Sequence, residues 1–156
     1  MEDLDLKVIV FAIGDEEYGV EVSQVKTIER MAPLTRVPKT PRFVKGVMNL
    51  RGVVVPVIDL RKRFDIEERE YDEETRIIIV SVNDMEVGLI VDSANDVIEI
   101  QENQIEDPPE VVGGIKAKYL RGVAKLNERL LVMLNLEEVL NKDEIIQLEA
   151  FGEQTR

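Results

Sequence analysis

Cysteine, histidine and tryptophan are all absent from this chain of 156 residues, and each gap removes chemistry. Without Cys or His there is no thiol nucleophile, no Ser-His-Asp triad, no imidazole general base and almost no way to build a zinc site. A disulfide framework is excluded too. The opening MEDLDLKVIVF lacks the basic start and small-residue cleavage site of a secretory signal, so the expected location is the cytoplasm. Apolar runs are short. The longest are broken by Gly, Asp or Arg, below the roughly 20 residues needed to span a bilayer, so no direct membrane insertion is expected. Aromatic residues are limited to four Phe and three Tyr, a thin supply for a deep small-molecule pocket. A carboxylate-based hydrolase would remain open to a chain this acidic, but no motif positions a pair of acids for it.

What the chain does contain is enough for a packed core and a solvated surface, with 44% hydrophobic and 33% charged residues. Its 20 basic residues face 32 acidic ones, a net charge of −12. That balance repels phosphate backbones, so nucleic acid is not an expected partner and other proteins are. The charge is unevenly placed. From Arg36 to Arg63 eight basic residues meet only Asp59, a local +7 that leaves −19 on the remainder. This stretch either decorates strand ends or faces an acidic surface on a partner. The acidic runs Asp15–Glu17 and Glu67–Glu74 have neither the alternating ligand spacing nor the central Gly of a calcium loop, so they are taken as solvated turns, and no metal or cofactor is expected.

Lys7–Ile13 and Tyr18–Val22 flank the turn residues Gly14–Glu17 and predict a hairpin. Ser23 fits the cap of a short helical turn through Val25 and Ile28, and Thr40-Pro41 the start of another over Pro41–Lys45. Val47–Leu50 and Val53–Ile58 flank Arg51-Gly52, a second hairpin in which Gly takes the positive φ; Pro56 marks an edge or a bulge. Asp59–Phe64 predicts a short helix. Further strands are expected at Arg76–Val82, Met85–Val91, Val97–Ile100, Tyr119–Leu126 and Arg129–Leu134, with a loop over Gln101–Lys118 and a terminal helix at about 142–151.

The halves resemble each other. KVIVFAIGDEEYGVEV from Lys7 matches RIIIVSVNDMEVGLIV from Arg76, an offset of 69 positions, and GVMNLRGVVVPVIDLRKRF from Gly46 matches GVAKLNERLLVMLNLEEVL from Gly122, an offset of 76. The pattern of hairpin, loop, hairpin, short helix is therefore written twice. The expected organisation is one domain over 1–156, with pseudo-repeated lobes at about 7–66 and 75–140. About five short strands in each lobe are too few for a sandwich and escape exposed edges most simply by curling into a small barrel.

At GVMNLRGVVVPVIDLR, with FAIGDEEYGVEV, TPRFVKG, VGLIVDSANDVIEI and LNLEEVL around it, the sequence resembles the CheW family of bacterial chemotaxis coupling proteins. The resemblance covers about Lys7–Leu148 and implies a mostly β fold of two intertwined SH3-like five-stranded barrels with short helices and a C-terminal helix. It also implies a non-enzymatic adaptor, monomeric when isolated, joining the cytoplasmic hairpin tips of methyl-accepting chemoreceptors to the regulatory domain of the histidine kinase CheA. Such an adaptor is recruited from the cytoplasm to membrane-associated receptor arrays. Carried over by motif, the receptor groove between the lobes would involve Val25, Gly46, Arg51, Val54 and Val87. Each has a plainer reading: Arg51 as a solvated turn residue, Gly46 as a turn, the three valines as core. Where the family commonly has Glu near the end of the first short helical turn this chain has Thr27.

Overall fold

The computed structural model describes residues 5–108, 111–112 and 115–140. Strands β1 (Asp5–Ile13) and β2 (Glu16–Glu21) form the first hairpin, a short 3-10 turn follows, and β3 runs Val25–Arg30. Then come β4 (Val44–Leu50), β5 (Val53–Asp59) and α1 (Leu60–Arg63). The second half gives β6 (Arg76–Val82), β7 (Met85–Val91), β8 (Ser93–Gln101), β9 (Ile105–Glu106), β10 (Val111–Val112), β11 (Ile115–Lys116), β12 (Leu120–Leu126), β13 (Arg129–Leu134) and α2 (Leu136–Val139).

Two larger sheets take up most of these strands, in the orders β3-β6-β7-β5-β4 and β8-β1-β2-β13-β12-β9. Neither coincides with a sequence repeat. The five-stranded sheet is contiguous from Val25 to Val91, and the six-stranded sheet is made from the chain on either side of it. Hairpin β1-β2 therefore lies with strands of the second half, and hairpin β6-β7 with strands of the first, which is the intertwining of two barrels. The join is parallel in both: Val57 opposite Gly88 and Met133 opposite Gly19, positions related by the two offsets.

Both barrels close the same way. The chain beyond β3 returns to β4 through a bridge between Thr35 and Val47, and the chain beyond β8 returns to β12 as β9, with Glu106 opposite Val123. Each closing strand carries a bulge at glycine, Gly46 in β4 and Gly122 in β12. A Cβ on Gly46 would strike the Thr35 carbonyl, and one on Gly122 the Glu106 carbonyl, so the missing side chain is what lets the closing strand approach.

Apolar side chains fall into three groups. Met48, Val55, Val57, Ile77, Ile79 and Ile90 fill the first barrel, while Val8, Val10, Ile100, Ala124, Leu131 and Met133 fill the second. The largest group lies between the sheets and includes Phe11, Tyr18, Ile58, Leu60, Phe64, Val87, Leu89 and Leu136. The scarce aromatics are concentrated in this seam. Phe11, Tyr18, Phe64 and Tyr119 follow one another with ring centroids 5.8, 6.4 and 5.7 Å apart, burying large apolar area where the two repeats meet.

Three local expectations change. The segment after Ser23 is strand rather than helix, because Val25–Arg30 alternates in burial and pairs along β6. Pro41–Lys45 makes only a turn, with the Val44 N–H donating to the Pro41 carbonyl at 3.0 Å. Gln101–Lys118, expected as a loop, contains β9, β10 and β11. The helix expected at about 142–151 lies outside the described residues.

Candidate functional site

Arg51 occupies the tip of the β4-β5 hairpin. The turn places Arg51 at φ 52° and Gly52 at φ 88°, and the Asn49 side chain accepts a 2.8 Å bond from the Gly52 N–H. Left-handed backbone is costly for a residue with a bulky side chain and cheap for Asn; the equivalent turn of the second half uses Asn127 at φ 38°. The Arg51 side chain is 70% exposed and its nearest acid is Glu29 on β3, at 3.7 Å. So loose and solvated a pair leaves the guanidinium available.

The valines sort by depth. Val25, Val80 and Val87 form one row across β3, β6 and β7 on the seam face. Val87 is fully buried, so it can influence a partner only through packing, and Val25 is half-buried against the same core. Val54 is 43% exposed, and so to similar degrees are its neighbour Val53 and Ile28 on β3. The Arg51–Glu29 pair thus has exposed apolar side chains beside it on both strands. Ile28 was not among the expected site residues, which were carried over by motif and did not include it. The bulge between Val25 and Thr27 turns Ile28 to the face of Ile78, part of the seam.

Gly46 is buried at φ 152°, and its open side is filled by the Thr35 carbonyl of the same chain. The space it clears serves barrel closure. Thr27 shares a row with Ile79, Gly88, Val57 and Gly46. Its Oγ1 is buried with no hydrogen-bond partner, so position 27 offers no charge to a partner.

The motif residues Asp59, Leu60 and Arg61 turn inward. Asp59, 2% exposed, caps α1 by accepting the Arg61 N–H at 2.9 Å and also accepts the Tyr71 hydroxyl at 2.8 Å. Burial, then that bond to Asp59, pushes the Tyr71 phenol above its ordinary range. Leu60 is in the seam. Arg61 grips Asp92, just past β7, with Nε–Oδ1 at 2.9 Å, and Asp92 accepts the Gly14 N–H of the β1-β2 turn at 2.7 Å. Burial pulls the Asp92 carboxyl upward, but the bonds from Arg61 and Gly14 and the charges of Arg61 and Arg69 outweigh it and hold the group below its usual value. The signature that singles out the sequence is thus a clamp between the two sheets.

Among the described residues no cluster of three or more His, Cys, Asp or Glu is arranged to hold a metal ion, and no helix is long and apolar enough to cross a membrane.

A family model described as the CheW-like domain matches residues 7–144. The chemotaxis protein CheW of Bacillus subtilis is 47% identical over 137 residues, covering 88% of this chain and 88% of its own. The CheW of Helicobacter pylori is 38% identical over 138 residues, covering 88% of this chain and 83% of its own. Among solved structures, a scaffolding protein CheW from Thermoanaerobacter tengcongensis superposes with a TM-score of 0.83 at 37% identity, over 90% of this chain and 96% of that one.

Proposed function

This chain belongs to the CheW family and is a chemotaxis coupling protein, and from that premise we propose that it joins the cytoplasmic hairpin tip of methyl-accepting chemoreceptors to the regulatory domain of the kinase CheA. It does so by contact alone, without catalysis, as a cytoplasmic monomer recruited to membrane-associated arrays. The receptor helix lies along the rim where the barrels meet, against Val25, Val54 and Ile28, with Arg51 at its end. Val87 sets the floor from within, and Gly46 acts at one remove by fixing where β4 runs.

The observation that carries this reading is Arg51, an exposed cation kept in a left-handed turn conformation that Asn would adopt more easily. Strained backbone of that kind is retained where it places a side chain for use. A planar guanidinium there pairs bidentately with a carboxylate or with helix-end carbonyls on a partner, a geometry Lys lacks. Co-sedimentation of the full chain with a receptor cytoplasmic fragment and CheA tests it. Wild type is expected to sediment with both, and Arg51→Ala to bind the receptor fragment about tenfold more weakly, the cost of truncating one of the minority of interface residues that contribute measurably. Failure of wild type to bind either partner ends the coupling reading, whereas normal binding by the Ala variant removes only the role given to Arg51.

A further inference from the structure

A second surface begins where that rim ends, past β3. A cleft of about 830 Å³ opens where the chain between β3 and β4 passes α1 and the connector that follows it, a volume in the range of specific binding sites. Its apolar floor includes Met31, Leu34, Val37 and Val44, and its walls carry Arg36, Lys39, Arg42, Lys45 and Lys62 with no acidic residue among them. Val44 begins β4 and Arg51 follows its end, so the Val44 end of the cleft lies about 20 Å from the hairpin tip at ordinary strand rise, while its Met31 end lies two residues past Glu29, the partner of Arg51.

The cleft already holds a carboxylate at its mouth. Glu68 of the connector bridges Lys45 at 3.2 Å and Lys62 at 3.1 Å, while its side chain remains 56% exposed. A contact so solvated is exchangeable at little cost. Arg36, Lys39 and Arg42 make no ion pair among the described residues and stand exposed. Five cations around an apolar floor, on a chain whose net charge is −12, are a local inversion that self-repulsion disfavours unless something anionic answers it.

We propose that this cleft is a docking site for an acidic segment of a partner protein, in which apolar side chains seat on the floor and carboxylates pair with Arg36, Lys39 and Arg42, displacing Glu68 from Lys45 and Lys62. Charge complementarity selects the occupant, and the overall negative charge of the chain steers extended polyanions away from it. Glu68 acts as a resident competitor that sets the affinity.

The test is fluorescence anisotropy on the full chain with a fluorescein-labelled EELEELEE peptide and its all-Gln counterpart QQLQQLQQ. Wild type is expected to bind the acidic peptide and not the Gln peptide. Glu68→Gln is expected to tighten binding about threefold, and a combined Arg36→Gln, Lys39→Gln, Arg42→Gln variant to weaken it about tenfold, from the usual worth of exposed ion pairs. Arg51→Ala is expected to leave it unchanged, which separates this site from the receptor rim. The proposal is overturned if wild type ignores the acidic peptide, if Glu68→Gln weakens binding, or if the triple variant binds normally. It is equally overturned if single-stranded DNA or phosphatidylglycerol vesicles bind the cleft more tightly than the peptide, or if sedimentation shows a second copy of the chain occupying it.

Discussion

At position 46 backbone conformation and barrel closure are one constraint. The residue sits at φ 152° with the Thr35 carbonyl where a Cβ would go. Gly46→Ala therefore faces both strain and a clash with backbone that is itself held, since Thr35 and Val47 exchange bonds of 2.9 and 2.8 Å. The expected loss is about 2 kcal/mol of unfolding free energy, as for other residues forced into sparsely allowed backbone, measured by urea titration of the isolated chain. Gly122→Ala, at the equivalent bulge, has no positive φ to strain and is expected to lose stability through the clash with Ile105 and the Glu106 carbonyl alone. If Gly46→Ala is instead as stable as wild type and only fails to bind receptor, the glycine belongs to the interface. Sequence reasoning left this choice open because a glycine that admits a partner and one that admits its own chain look the same in a string of letters. It likewise had no means to rank Val25, Val54 and Val87 by depth: all three lie in apolar strands, and only the position of the neighbouring sheet buries Val87 and leaves Val54 at the rim.

Among elements, the weight falls on the junction of β7, α1 and the β1-β2 turn. Arg61 and Asp92 have side chains only 13% exposed, so removing one charge leaves the other desolvated without its counterion. Asp92→Asn is expected to lower stability by roughly 3 kcal/mol at pH 7. The pH dependence follows from the direction of the Asp92 shift. Its carboxyl is lowered in the folded chain, so the stabilisation is complete above the unfolded-state value near 3.9 and is lost as pH falls through the lower folded value. Urea titrations should give a constant gap between wild type and Asp92→Asn from pH 7 down to about 5, closing progressively below about pH 4. A gap that persists at pH 2 would assign the stabilisation to shape rather than charge. The short helix was legible here because Asp59 precedes Leu60 as a capping residue should, and the hairpin at Arg51-Gly52 because Gly follows a short apolar run. Strand β3 was missed because Ser23 imitates a helix cap, while the partner that makes VKTIER a strand, β6, lies 46 positions further on at Arg76–Arg30.

For the whole molecule the decisive fact is that sequence repeats and sheets are cut at different places. The repeat predicts a boundary near residue 70, yet every strand of the first sheet lies between Val25 and Val91. A fragment of residues 1–70 keeps β1 to β5 but strips β3 of β6, β5 of β7, β2 of β13 and β1 of β8, leaving two isolated hairpins, which are marginal in water. A fragment of residues 22–92, of nearly the same length, retains all five strands, the Thr35–Val47 closure and the interior group around Val55, Val57 and Ile79. It loses the seam, so its stability falls well below that of the whole chain. Circular dichroism with urea titration at micromolar concentration is expected to show a cooperative, weakened transition for 22–92 and none for 1–70. If 1–70 unfolds cooperatively and 22–92 does not, the repeat is the folding unit and the hairpin exchange is a late rearrangement between two already folded lobes. The expected order follows from the pairing itself: each half supplies the central hairpin of a barrel it does not otherwise build, so neither repeat can bury its apolar faces until the other is present.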